Sequence, residues 1–326
     1  MNAIVQTGYG SAEVMEHRQV DKPAPGGGQV LVRVKAASLA AGEYFGMRGR
    51  PLPIRFSIGF PRPKRDFVVG IAFAGIIESV GDGVSDFRAG DEVYGECHGS
   101  CAESAVAEVG SIARKPHNLS FEQAAAVPTS GCTALQALRN HGHVRPGQAV
   151  LINGASGGVG SFAVQIAKAL GAEVTAVCST PNVETMRSIG ADHVIDYTKE
   201  DFTKAGPRYD VILDNVASHA LSHTRRALKP DGLLLPSSGH AGMGWIIAAA
   251  LSAPVVRQQG APFVAKTDAA TLDELTDLIE AGSVTPLIDR TYALRDTARA
   301  FAYLDEGHAR GKVVIVVEEC RTGSVS

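Results

Sequence analysis

The sequence predicts an α/β protein, with a doubly wound parallel sheet in the middle of the chain and a compact domain of short strands before it. Three observations carry this. Residues 149–152 form an apolar run of strand length, followed by a turn with glycines at 154, 157 and 160 and then by Phe162, Ile166 and Leu170 at helical spacing. Strand and helix patterns then alternate: strands at 173–178, 192–196, 209–215 and 233–236, with a helix at 183–189. Residues 1–122 instead read as short strands broken by Gly-Asp turns such as Gly81-Asp82-Gly83 and Gly90-Asp91.

Taken in order, residues 2–6 and 29–37 are strand-like, and Pro23 to Gly28 makes a loop between them. Short strands are expected at 67–70, 74–80 and 92–95, and an irregular surface loop at 45–66. Residues 121–127 and 130–141 read as helices leading into the central strand. After the parallel sheet, 272–280 and 296–306 read as helices and 291–294 and 312–317 as strands, with 318–326 as a tail.

Composition narrows the function. The chain has 326 residues, 45% hydrophobic and 20% charged, which is ample for a core of about two domains. A net charge of −3 without a basic run excludes an electrostatic nucleic-acid surface. The cysteines, Cys97, Cys101, Cys132, Cys178 and Cys320, are scattered and odd in number, as expected of reduced thiols in a cytoplasmic protein. The N-terminus lacks the apolar region of a signal peptide. The longest apolar stretch, 243–256, is too short to span a bilayer, so no integral membrane association is expected; it reads as a helix lining a cleft or a subunit interface.

The strand–turn–helix at 149–170 carries the chemistry. Glycines permit a tight turn and close approach of an anion to backbone N–H groups at a helix N-terminus, so this region is expected to bind a dinucleotide. NAD-binding folds place a carboxylate at the end of the second strand. Here that strand ends Cys178-Ser179-Thr180, a hydroxyl pair able to donate to a 2′-phosphate, which favours NADPH; the nearest cation in sequence is Arg187.

The motifs 75–84 (GIIESVGDGV), 89–93 (AGDEV), 123–135 (QAAAVPTSGCTAL), 149–160, 190–197 (GADHVIDY), 209–216 (YDVILDNV) and 307–315 (GHARGKVVI) resemble the medium-chain dehydrogenase/reductase superfamily, in its zinc-free quinone oxidoreductase-like branch. The resemblance implies a GroES-like β-barrel catalytic domain at 1–122, a Rossmann-type cofactor domain at 123–262, and a segment at 263–326 completing the catalytic domain. It implies a cofactor cleft between the domains. Ser156, Gly157, Gly158 and Val159 would face the phosphates, and Ser179 the adenosine ribose or its 2′-phosphate. Tyr197 would flank the adenine, with Thr133 near the nicotinamide, Ser238 and Gly239 beside its ribose, and Lys312 near the cleft. A homodimer joined at the edge strand after Leu233 is also implied.

Where zinc relatives carry Gly-His-Glu, this chain has Gly70-Ile71-Ala72; the cysteine near position 40 and the four-cysteine lobe are absent. Glu96-Cys97-His98 and Cys101 lack further clustered ligands, so no metal is expected. The family's usual Asn is Ala40, its acid is Glu43, and a Tyr of several relatives is Phe45. Tyr44 is then the local candidate for proton donor, while Glu43 would organise the loop or pair with Arg48. The expected activity is zinc-independent, NADPH-dependent reduction of a quinone or an α,β-unsaturated carbonyl. The alternatives are an NADP-binding sensor or scaffold with little turnover, or a zinc-free alcohol/aldehyde oxidoreductase.

Overall fold

The computed structural model describes residues 1–237, 242–307 and 309–317. Its strands are β1 (Asn2–Gln6), β2 (Met15–Gln19), β3 (Gln29–Leu39), β4 (Ala72–Val80), β5 (Glu92–Glu96), β6 (Ser104–Glu108), β7 (Ile112–Arg114), β8 (Ala149–Asn153), β9 (Glu173–Cys178), β10 (His193–Asp196), β11 (Tyr209–Asp214), β12 (Leu228–Pro236), β13 (Ile288–Ala293) and β14 (Lys312–Val316). Its α-helices are α1 (Ala41–Arg48), α2 (Ile54–Ile58), α3 (Phe121–Ala125), α4 (Pro128–Leu135), α5 (Gly158–Ala169), α6 (Val183–Ser188), α7 (Leu221–Thr224), α8 (Gly242–Ser252), α9 (Ala269–Glu280) and α10 (Thr297–Asp305). The chain divides into two compact units: Met1–Thr129 with Thr267–Asp273 and the stretch from Ile288, and Ser130–Lys266 with Glu274–Leu287.

The first unit is built on β3. One edge of this long strand pairs antiparallel with β4; the other is shared by β6 along its first half and β14 along its second. The sheet order is β13-β14-β3-β4-β5-β7. Register shifts at Leu31/Val32 and Val34/Ala36 act as bulges that let the sheet curl. Val30, Val32 and Val34 face a core with Ile4, Phe73, Ile77, Ile112, Phe301 and Ile315. Burying such apolar side chains drives the fold.

Two expectations change here, and one strand was not expected. Residues 67–70 make an isolated bridge, Val5 to Val68, rather than a strand. The polar β2 (MEHRQ) gave no apolar alternation yet pairs fully with β1. The 45–66 stretch is not all irregular, because it contains the end of α1 and all of α2. In α1, Gly42 and Gly46 dilute the helical signal, and Glu43, Gly46 and Met47 are its buried face.

The second unit is a five-stranded parallel sheet of order β10-β9-β8-β11-β12. The first strand in sequence, β8, sits centrally, with β9 on one side and β11 on the other. Chain direction across the sheet therefore reverses between β8 and β11, and ligands of open α/β sheets bind outside the carboxyl ends of strands at such a point. The helix α8 exposes Ile247 and Leu251. Among the described residues, no helix is long and apolar enough to cross a membrane.

Candidate functional site

The turn after β8 has two kinds of glycine. Gly154 has φ +75°, and a Cβ there would meet Val216 Cγ2 at 2.5 Å. A Cβ on Gly160 would meet Gly154 O at 2.1 Å and Ala155 Cα at 2.7 Å, both backbone. The fold itself demands these two. Gly157 differs: its φ is −80°, and a Cβ would meet only Gly154 O, at an ordinary 3.5 Å. Nothing in the turn requires glycine at 157. A group laid against the N-terminus of α5 would. That helix has no side-chain cap and no acidic residue in its first turn, so the amides of Gly158 and Val159 have no acceptor within the helix. Ser156, Gly157, Gly158 and Val159 are half-buried together at this point.

At the end of β9, the register of the sheet supplies what β9 itself lacks. Cys178 pairs with Asp196 of β10, which places a carboxylate beside Ser179 and Thr180. Thr180 Oγ1 donates to Asp196 Oδ2 at 2.6 Å; Thr198 donates to Oδ1 through Oγ1 at 2.7 Å and N at 3.0 Å; Lys199 Nζ lies 3.1 Å from Oδ2. The hydrogen bonds from Thr180 and Thr198 hold the Asp196 carboxyl well below the usual range. Ser179 accepts from Asn182 Nδ2 at 3.0 Å. The hydroxyl pair expected to donate together is thus divided, because Thr180 spends its hydrogen on Asp196. Tyr197, whose N donates to Cys178 O, is exposed at the same strand end.

Sequence reading missed the end of β11. Asp214 is buried; its Oδ1 accepts from Asn153 Nδ2 at 2.8 Å and from the amides of Val216 and Ala217, while Oδ2 has no partner. Asn215 Oδ1 is also buried without one. Both sit beside β8 at the strand-order reversal, and the only sequence signal was the polar Asp-Asn closing an apolar strand. Thr133 lies half-buried in α4. Ser238 and Gly239 lie outside the described residues.

The first unit holds a separate polar cluster, formed where strand ends meet α1. Across four neighbouring strands, Val314, Ser38, Ala72 and Glu96 lie in one row. Glu43 is 8% exposed; its Oε2 accepts from Ala40 N at 3.0 Å, and its Oε1 has no partner. Lys312 is 2% exposed, and its Nζ donates to Leu39 O at 3.0 Å. Burial pushes Glu43 up to about 7 against the pull of Lys312, and pushes Lys312 down to about 8 against the pull of Glu43 and Glu96. Thr129 Oγ1 donates to Glu96 Oε1 at 2.6 Å.

Tyr44 faces a different set of partners. Burial and a hydrogen bond to Asp305 raise its phenol, and Arg48 lies over its ring. Arg48 pairs with Asp305 and not with Glu43. Of the two roles expected for Glu43, the structure shows the loop-organising one.

The tempting metal segment does not converge. Cys97 and Cys101 are buried and their thiols are pushed up by burial, while His98 is exposed. Among the described residues, no three His, Cys, Asp or Glu side chains form a group able to hold a metal ion. Cys97, His98 and Cys101 therefore do not fit a zinc site.

Two family models match: one described as an alcohol dehydrogenase GroES-like domain over residues 26–137, the other as a zinc-binding dehydrogenase over 189–315. The chain is 33% identical to 2-methylene-furan-3-one reductase of Solanum lycopersicum, over 97% of this chain and 79% of that protein. It is 31% identical to the chloroplastic NADPH-dependent alkenal/one oxidoreductase of Arabidopsis thaliana, over the same shares. The solved quinone oxidoreductase of Coxiella burnetii superposes with a TM-score of 0.86 at 28% identity, covering 98% of this chain and 99% of that one. With a curled GroES-like sheet, a Rossmann-type parallel sheet and these relatives, the chain belongs to the oxidoreductases of the medium-chain dehydrogenase/reductase superfamily, in its quinone oxidoreductase-like branch.

Proposed function

We propose that this chain is an NADPH-dependent reductase that works without zinc and reduces a quinone or the carbon–carbon double bond of an α,β-unsaturated carbonyl. The observation that carries the reading is Gly157, a glycine that the turn does not need and that a phosphate against the α5 N-terminus does. Ser156, Gly157, Gly158 and Val159 hold the phosphates; Ser179 and Tyr197 take the adenosine end; Thr133, Ser238 and Gly239 take the nicotinamide end. When bound, the nicotinamide supplies a hydride. A proton completes the two-electron reduction, so each turnover consumes one NADPH, one acceptor and one proton. Tyr44 donates its hydrogen to Asp305, so it must give up that bond to act as the donor, and solvent water is the first source of the proton. Lys312 and Glu43 set the charge beneath α1.

The zinc-independent part of the reading rests on the donor set: Cys97 and Cys101 are buried while His98 is exposed, and among the described residues no three His, Cys, Asp or Glu side chains come together. A cytoplasmic homodimer joined at β12 completes the reading. That strand is one of the two outer strands of its sheet, although Leu234 already bonds the backbone of Gln258 and Gly260 along it. Mass in solution tests the dimer.

The activity test follows NADPH absorbance with purified, metal-analysed protein and a panel of quinones, enones and aldehydes, with NADH as control. Oxidation with quinones or enones and metal-free protein supports the proposal. Bound NADPH that no acceptor oxidises would replace it with the sensor reading, for which Ala40 and Ala72 are the structural reason; turnover confined to aldehydes would replace it with the alcohol/aldehyde reading.

A further inference from the structure

The end of β9 separates two jobs that the sequence assigned together. Ser179 accepts from Asn182, so its own hydrogen remains to donate to a ligand. Thr180 has given its single hydrogen to Asp196 and presents only lone pairs. A ribose hydroxyl can donate to such an oxygen; a phosphate, acceptor only, cannot. Asp196 itself brings a negative charge to the strand end that β9 leaves uncharged. The cations near it are committed: Lys199 pairs with Asp196, and Arg187 pairs with Glu184 at 2.6 Å. Asn182, with its amide on Ser179, offers no cation in their place.

We infer that Asp196 is the residue that limits discrimination between NADPH and NADH, so that the chain takes both with affinities of the same order. The inference rests on the cofactor site proposed above and concerns its ribose end alone. The phosphate of NADPH carries nearly two negative charges at neutral pH and the ribose hydroxyl none. A carboxylate beside Thr180 at this strand end therefore penalises one cofactor and leaves the other untouched. Replacing it with the isosteric amide keeps one acceptor oxygen, which serves Thr198, turns an NH2 donor toward Thr180, removes the charge, and frees Lys199.

The test is fluorescence titration of the full-length protein with NADPH and with NADH. Wild type is expected to favour NADPH by less than about tenfold. Asp196→Asn should raise that preference by about fivefold or more through tighter NADPH binding, with NADH affinity unchanged within about twofold. The gain should shrink in about 1 M salt, as a Coulombic effect does. Asn182→Lys, which supplies a cation at Ser179 without touching Asp196, should act in the same direction. Asp192→Asn, at the opposite end of β10 and paired with Lys168, should leave the preference unchanged. A wild-type preference above about a hundredfold, or an Asp196→Asn variant that shifts both cofactors equally, overturns the inference while leaving the cofactor site standing. Failure of wild type to bind either cofactor overturns the site reading and this inference with it.

Discussion

Glu43 in the GroES-like unit and Asp196 in the Rossmann-type unit are both buried carboxylates at the junction of a strand end and a turn, yet they are driven in opposite directions. Asp196 receives three hydrogen bonds from Thr180 and Thr198 and a lysine contact, and is held ionised. Glu43 receives one, from Ala40 N, keeps an oxygen without a partner, and is pushed up to about 7. Burial sets the size of the penalty for charge; the number of donors decides whether charge survives it. The helix N-termini differ in parallel. The amide at the start of α1 is bonded by Glu43, while the start of α5 has no side-chain cap. Neither helix has a side-chain oxygen on its first-turn amides; what α1 adds is Glu43 reaching back to the N-cap amide, which α5 has no acidic residue to do.

The largest expected effect comes from emptying the Glu43 position. Glu43→Ala leaves Lys312 buried with Leu39 O as its acceptor and should cost about 3 kcal/mol in chemical unfolding at pH 7, with Glu43→Gln well below that. If the alanine variant is as stable as wild type, Glu43 and Lys312 are not coupled.

The next effect is a pH signature of opposite sign at the two acids. Unfolded Glu43 ionises near 4.5 and the folded residue near 7, so between those values the folded state holds an extra proton and stability falls as pH rises. Lys312 is lowered from 10.5 to about 8, so between 8 and 10.5 the unfolded state holds the extra proton and stability rises again. A trough near pH 7–8, about 2 kcal/mol deep, should appear in unfolding curves and lose its acidic limb in Glu43→Gln. Asp196 contributes stability above its unfolded value of 3.8 that is lost as pH falls toward its lower folded value. Asp196→Asn should therefore narrow its deficit against wild type only in acid.

Gly157→Ala tests the open helix end. It should unfold like wild type, because the Cβ has room, yet weaken NADPH binding by about tenfold in titration, the cost of holding a phosphate off the α5 amides. Gly160→Ala, whose Cβ strikes backbone, should fail at the folding step. Equal cofactor affinity in wild type and Gly157→Ala would move the phosphate site elsewhere. The smallest effect belongs to the N-terminus of α1. Ala40→Ser supplies the side-chain oxygen that α1 lacks at its N-cap and should raise stability by about 0.5–1 kcal/mol in thermal unfolding.

Legibility followed distance along the chain. The β8–turn–α5 unit was readable because its apolar run, glycines and helical spacing are contiguous. The same holds for the alternation that makes the parallel sheet. The segment at 45–66 was misread because glycines in α1 and prolines around α2 mask short helices whose stability comes from packing, with Met47 and Ile58 buried. Arg48 was expected to choose between partners near it and chose Asp305, far away in sequence.

By itself, the sequence determined the two fold types, the family, and the glycine turn between β8 and α5, because each rests on local periodicity or on residues within one turn of each other. Only the tertiary structure decided the electrostatics. A carboxylate absent from β9 arrives from β10 through strand register, and Lys312 comes from the last strand to lie beneath α1 with Glu43. Charge acts through space and through the donors that surround it, and neither is written in the order of the residues.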